Sequence, residues 1–407
     1  MSLGVYISVP FCRTKCSYCN FASGVFSAAQ MGRYVERLCA DMTASRTLAA
    51  RHGAHVPGAV DSIYLGGGTP SLLPADELAK LFGTIRAEFH VMSEAEITVE
   101  CAPGMISDAA LEALAACGVN RVSLGVQSFI DQEAASVGRL HTREKIFNDI
   151  ERLRGAGISN LNVDLIAGLP HQTEASWQES LAAALASGVP HVSVYMLEVD
   201  MDSRLGRELI AGGTRYHAHS VPDEDLTAGF YEEAIAQLGA AGIPQYEISN
   251  FARSGFESRH NLKYWQRQPY FGFGVDAHSM LPVAGPSPQP DAESVRLVTT
   301  DSYDGFFIAA QTEAFPVSHS QAVEESFFLG LRLNRGVSLD VLRSQFGNAV
   351  EDHASTIQEM LNAGMLARSG ETLRLTPQGR LLSNEVFERF IIVDEKPQPE
   401  EELKFQI

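Results

Sequence analysis

Six short runs along the chain are dense in Val, Ile, Leu and other strand-forming residues: Val5–Pro10, Ser62–Leu65, Glu96–Glu100, Arg121–Gln127, Asn162–Ile166 and Val192–Leu197. Between them, apolar positions recur at the three- and four-residue spacing of amphipathic helices, over Gln30–Ala49, Ala75–Phe89, Ala109–Ala116, Glu144–Leu153 and Glu174–Ala186. A further helix is predicted over Asp225–Gly239. Strand and helix in alternation predict parallel βα units. Six of them predict an α/β fold, a partial or complete parallel (β/α) TIM-like barrel over residues 1–280.

The pattern changes at Leu281–Pro290, a proline-rich stretch that reads as a loop, so a linker or insertion is expected over 281–304. Helical spacing returns from about Gly305. Val337–Gln345 and Asp352–Ala363, followed by the hairpin-like Met365–Leu375, read as helix–turn–helix–wing. This predicts a small C-terminal helical, winged-helix-like domain over 305–390 and a mobile tail over 391–407.

Polar residues fall at the ends of the predicted strands. Cys12 follows the first, Gly66-Gly67-Gly68-Thr69 the second, Glu100 ends the third and Gln127 ends the fourth. In a parallel sheet those carboxyl ends share one rim, where such folds bind ligands.

Charge narrows the partners. Acidic residues outnumber basic ones 50 to 31, for a formal net charge of −19. Such a field repels nucleic acid and anionic lipid. The candidate recognition helix, Val350–Asn362, carries Glu351, Asp352 and Glu359 but no Lys or Arg, so a docking or lid role over the barrel mouth is expected of it instead. No apolar run is long enough for a membrane span, and no secretory signal is visible, so a cytoplasmic location is expected.

Three of the six cysteines crowd together as Cys12-x3-Cys16-x2-Cys19. Three thiolates on one loop can each bind one iron of a [4Fe–4S] cluster and leave the fourth iron without a protein ligand. An amino acid's amino and carboxylate groups can chelate that iron, and S-adenosylmethionine (SAM) is such a ligand. A structural zinc site is the alternative, but no later Cys or His pair completes four ligands. The amides of the glycine run are candidates to hold the methionine end of SAM. Glu100 and Asp164 are acids within or ending apolar strands, with Gln127 and Arg139 as candidate partners. Cys39, Cys101 and Cys117 read as core.

The sequence resembles the HemN/HemW group of radical SAM proteins over nearly its whole length up to about Phe390. The resemblance lies in Tyr6-Ile7-Ser8-Val9-Pro10-Phe11-Cys12, the Gly66 run, Arg121-Val122-Ser123-Leu124-Gly125-Val126-Gln127 and Gly138-Arg139-Leu140-His141-Thr142. It continues in Asn162-Val163-Asp164-Leu165-Ile166-Ala167-Gly168-Leu169-Pro170, Tyr246-Glu247-Ile248-Ser249-Asn250 and His260-Asn261-Leu262-Lys263-Tyr264-Trp265. It implies a radical SAM barrel with Tyr6, Gly67, Gly68, Thr69, Glu100, Gln127, Arg139 and Asp164 around SAM, and the cluster on Cys12, Cys16 and Cys19. It also implies heme on His260, and as partners a heme or porphyrin, an electron donor for the cluster and a heme-acceptor protein. The group's coproporphyrinogen dehydrogenases carry an additional cysteine where this chain has Phe21, and a longer stretch before the first strand. The heme-chaperone branch is therefore expected; oxidative decarboxylation of coproporphyrinogen III by a 5′-deoxyadenosyl radical is the alternative, and a zinc-bearing regulator the remote one. Cys101-Ala102 stands where the group commonly has asparagines, and Asp276 where it has glycine.

Overall fold

The structure, a computed structural model, describes residues 1–198, 200–285, 291–308 and 312–392. Six strands run parallel in sequential order: β1 (Leu3–Val9), β2 (Ala59–Gly67), β3 (His90–Cys101), β4 (Arg121–Gln127), β5 (Asn160–Ala167) and β6 (His191–Met196). Crossover helices α1 (Ala28–Arg51), α2 (Ala75–Glu88), α3 (Asp108–Ala116), α4 (Asp131–Ser136), α5 (Arg143–Gly155) and α6 (Glu174–Ala186) return the chain. Ser27 opens α1 and Thr173 opens α6 with capping boxes that satisfy the first free amides. All six predicted strands are present.

The sheet is a partial barrel. Past β6 it ends on the antiparallel β7 (Asn250–Ala252); on the other side β1 pairs with the parallel β8 (Tyr270–Phe273). The sheet then continues antiparallel through β9 (His278–Pro282), β10 (Ala292–Thr299) and β11 (Thr312–Ser318). This corrects two expectations. The span 281–304, read as a linker, carries β10, whose Ser294-Val295-Arg296-Leu297-Val298 alternates as a strand should; the neighbouring prolines masked it. β11 lies where helix was expected, and its Pro316 is tolerated because β11 is the sheet edge. Residues 286–290 of the proline-rich stretch and 393–407 of the expected tail lie outside the described residues.

Alternation sorts the strands into two faces. Val5, Ile7, Val122, Leu124, Val163, Val192 and their neighbours pack outward against the helices as one core. The inner face is polar: Tyr6, Ser8, Ser62, Tyr64, Glu96, Thr98, Glu100, Arg121, Ser123, Asn162, Asp164, His191, Ser193 and Tyr195 occupy it. Closed parallel barrels fill that space with branched apolar residues; this one is built to surround something polar.

Beyond β6 come α7 (Arg204–Ala211), α8 (Glu224–Ala240) and α9 (Arg259–Trp265); after β10 come α10 (Tyr303–Ile308), α11 (His319–Gly330), α12 (Leu339–Phe346) and α13 (Ala354–Asn362). The strands β12 (Val337–Ser338), β13 (Leu366–Ser369) and β14 (Thr372–Leu375) form a separate small sheet beside α12 and α13, around a second core that includes Phe327, Phe346, Leu373 and Phe390. This unit meets the β7 side through Asn334 and Gln245, and the β10 side through Glu325, which binds both Arg267 and Arg296. Among the described residues, no helix is long and apolar enough to cross a membrane.

Candidate functional site

The cysteine loop leaves β1 and is pinched shut where Cys12 N donates to Gly24 O (2.8 Å) and Gly24 N to Pro10 O (2.9 Å). Cys12, Cys16 and Cys19 are free thiols of intermediate exposure. Burial pushes the Cys12 and Cys19 thiols up, so both hold protons that ligation would release. Among the described residues, no three His, Cys, Asp or Glu side chains converge to hold a single metal ion. A cubane asks for a different arrangement, one thiolate at each of three corners.

Gly68 explains the glycine run. A Cβ on it would meet Phe11 O and Val9 O at 2.7 Å and Phe11 N at 2.8 Å, so only glycine lets β2 end against the start of the cysteine loop. Gly68 N donates to Val9 O (2.9 Å), Thr69 N to Phe11 O (2.7 Å) and Gly67 N to Glu100 Oε2 (3.2 Å). The amides expected to face a ligand are thus committed within the protein. What the run offers a ligand is carbonyl oxygens and the Thr69 hydroxyl, which lies 4.0 Å from Cys12 Sγ.

Glu100 and Asp164 share the inner face, but their partners are not Gln127 and Arg139. Tyr64 OH donates to Glu100 Oε1 at 2.9 Å. Asp164 accepts from Ser123 Oγ (3.0 Å) and Asn162 Nδ2 (2.7 Å). Burial, with Asp164 close by, pushes the Glu100 carboxyl up to about 7. Burial raises Asp164 as well, against the hydrogen bonds that favour its charge. Arg121, 2% exposed, projects from the start of β4 into the field of both acids, and its Nε has no hydrogen-bond partner. Below them His191 Nδ1 meets Asn162 Oδ1 at 2.6 Å, so Nδ1 carries the proton and Nε2 accepts from Tyr246 OH (3.0 Å). Burial holds His191 well below its usual value and keeps it neutral.

Arg139 and Gln127 lie at the rim. A Cβ on Gly125 would come within 2.7 Å of Arg139 Nη2, so that glycine makes room for the guanidinium, whose Nε is buried without a partner. Tyr18, from the cysteine loop, lies beside Arg139. Gln127 takes a left-handed backbone, φ 67°, at the end of β4, which points to strain held by its surroundings. Tyr6 lies deeper, its ring 6.1 Å from that of Tyr64 and its hydroxyl beneath Gly67. A small cleft at the rim is lined by Thr14, Thr69, Pro103, Arg139 and His141. A larger depression of about 610 Å³ lies at the opposite end, at the start of β3, away from every one of these groups.

His260 is not brought to the rim. It sits on α9 against Gly4, Ser62 and Glu96, which share one level near the amino ends of β1 and β2 and midway along β3. It is 1% exposed, and both ring nitrogens are engaged, Nδ1 with Ser62 Oγ and Nε2 with Tyr264 OH, each at 2.9 Å. Burial lowers its pKa to about 3. Trp265 is buried under the Arg332 guanidinium, 4.2 Å from the ring centroid. Cys101 faces the helical core, its thiol pushed up to about 12 by burial, and Cys117 and Cys39 pack on the same core. Asp276 has φ 56°, the conformation glycine adopts without cost.

Sequence reasoning missed Arg121, Tyr64, Ser123, Asn162 and His191. The period-two alternation of their strands was the available signal, because it separates them from the Val and Leu between them.

Comparison with known proteins places the chain. The Radical SAM superfamily model matches residues 6–184, and the HemN C-terminal domain model residues 317–382. A protein of Bacillus subtilis (strain 168) named heme chaperone HemW is 33% identical over 394 residues, covering 95% of this chain and 98% of its own. The protein of the same name in Escherichia coli (strain K12) is 29% identical, covering 96% and 98%. Among solved structures, the E. coli coproporphyrinogen III oxidase HemN, described as a radical SAM enzyme, shares the fold with a TM-score of 0.79 at 22% identity, over 96% of this chain and 90% of that one.

Proposed function

The chain belongs to the HemN/HemW family of radical SAM proteins, and on that premise we propose that it is a heme chaperone, binding heme and handing it to acceptor proteins. The observation that carries the cofactor part is a rim of three free thiols, Thr69 and Arg139 above a polar inner face that holds Glu100 and Asp164. Cys12, Cys16 and Cys19 would hold the [4Fe–4S] cluster. Cluster and SAM together supply one-electron radical chemistry when bound.

This chain's residues have distinct tasks. Arg139, with a free Nε at the rim, suits the SAM carboxylate. Glu100 and Asp164 suit hydroxyl or ammonium donors, and Glu100 near half-protonation at neutral pH can donate as well as accept. Tyr6, on the inner face, brings its hydroxyl beneath Gly67. Phe21 takes the place where the dehydrogenase branch has a further cysteine, and its carbonyl holds Lys15 Nζ at 2.9 Å. A cytoplasmic location, with access to an electron donor and to heme acceptors, accords with this reading.

Heme on His260 requires α9 to leave the floor of the barrel and both imidazole hydrogen bonds to break. Anaerobic reconstitution tests the proposal as a whole. Iron and sulfide near four each per chain, hemin binding, and no conversion of coproporphyrinogen III support it. Robust porphyrinogen turnover would replace the chaperone with the dehydrogenase, and zinc in place of iron would remove both.

A further inference from the structure

We infer that heme iron is ligated at the barrel mouth by His217, at the centre of an imidazole cluster with His171 and His219, and not by the buried His260. This deepens the heme-binding reading and rests on it.

His171 follows β5 in Leu169-Pro170-His171, while His217 and His219 lie in the loop after α7. The His171 and His217 rings meet edge to face, 5.0 Å between centroids, and His219 lies 6.4 Å from His217. The two loops are sewn together: His171 N donates to Ser220 O and Ser220 N to His217 O, each at 2.8 Å. Glu208 fixes the second loop by accepting from Tyr216 N (2.9 Å) and Ala218 N (3.3 Å). His171 and His217 are both held in the left-handed conformation, φ 70° and 62°. For residues with a Cβ this conformation is unfavourable, and such strain gathers where a side chain must be aimed. Both residues are partly exposed, unlike His260.

The surroundings match a porphyrin. The guanidinium groups of Arg204 and Arg215 each lie 5.4 Å from the Tyr216 ring centroid, and Arg207 is exposed on α7. In a chain of net charge −19 these cations stand out, and they suit the two propionates. Tyr216 offers a ring for the porphyrin face, and Met201 and Ile210, 59% and 58% exposed, lie on the same segment between β6 and Tyr216. The segment also abuts the cysteine loop: Leu205 N donates to Ser17 O at 2.8 Å, and Arg204 to Lys15 O. Heme held here would lie next to the proposed cluster.

The test is hemin titration of the full chain, purified anaerobically, followed in the Soret band. The variants are His171→Asn, His217→Asn and the double substitution. Asparagine tolerates the left-handed backbone and removes the imidazole, and unchanged iron and sulfide content reports an intact fold. The double variant is expected to bind hemin at least tenfold more weakly and to lose the histidine-ligated spectrum. Arg215→Glu, an exposed change that leaves the imidazoles in place, is expected to weaken binding several-fold. Affinity and spectrum unchanged in the double variant overturn the inference, and loss following His260→Gln alone would return the iron to α9. A wild-type chain that binds no hemin removes this inference and the chaperone reading together, whereas binding indifferent to His171 and His217 removes only this one.

Discussion

Replacing Gly68 by alanine tests the packing that seats the cysteine loop. The new Cβ would lie 2.7 Å from two carbonyl oxygens, of Val9 and Phe11, and 2.8 Å from Phe11 N. Ordinary contact begins at about 3.5 Å, so backbone on the β1 side must move by about 0.8 Å. Backbone cannot swing aside as a long side chain can. Overpacking of this kind costs about 1–3 kcal/mol. The shift also stretches the Gly68–Val9 and Thr69–Phe11 hydrogen bonds, now 2.9 and 2.7 Å, at about 1 kcal/mol each. A total of about 3–5 kcal/mol is expected, with the loop displaced from its anchor. The assay pairs a urea-unfolding midpoint with iron and sulfide content after anaerobic reconstitution. Gly58→Ala is the control: no atom lies within 4 Å of its Cβ, so a change within about 0.5 kcal/mol is expected. If Gly68→Ala stays within about 1 kcal/mol of wild type and loads iron as well as Gly58→Ala, the steric argument is wrong.

Three further outcomes follow from the same geometry. Single alanine substitutions of Cys12, Cys16 and Cys19 are expected to abolish iron loading, whereas Cys101→Ala, on the opposite face of β3, should retain it; equal loss in all four would deny the cysteine loop its role. Gly125→Ala crowds Arg139 Nη2 at 2.7 Å and is expected to weaken SAM binding about tenfold, roughly 1.4 kcal/mol, with iron content unchanged; an unaltered SAM affinity by calorimetry would separate Arg139 from SAM. Burial raises Glu100 from 4.5 to about 7, so the folded state holds that proton more tightly than the unfolded one. Its effect is absent below pH 4.5, lowers the stability of the cofactor-free protein as pH climbs to about 7, by at most about 3 kcal/mol, and is constant above. Chemical denaturation across that range should show this decline in wild type and not in Glu100→Gln; parallel curves would mean that Glu100 is ordinarily acidic.

The order of strands and helices was legible in the sequence because each βα unit is a local pattern: Val and Leu at every second position of β4 and β5, and helical spacing through α1 and α6. The cysteine loop was legible for the same reason, since its ligands lie within eight positions of one another. Three things were not. β10 and β11 depend on pairing across a proline-rich stretch and at an edge, and a strand's identity there comes from its partner. The partners of Glu100 and Asp164 are set by register, which brings Tyr64, Ser123 and Asn162 beside them and leaves Gln127 and Arg139 at the rim. The accessibility of the histidines is set by tertiary packing alone: α9 buries His260 under the barrel floor while two loops 46 residues apart bring His171 and His217 into ring contact. Sequence thus determined which chemical groups the chain carries and the local units that present them. Only the closing of one sheet around a polar face decided which groups meet, because contact between distant residues depends on register and packing that no local pattern encodes.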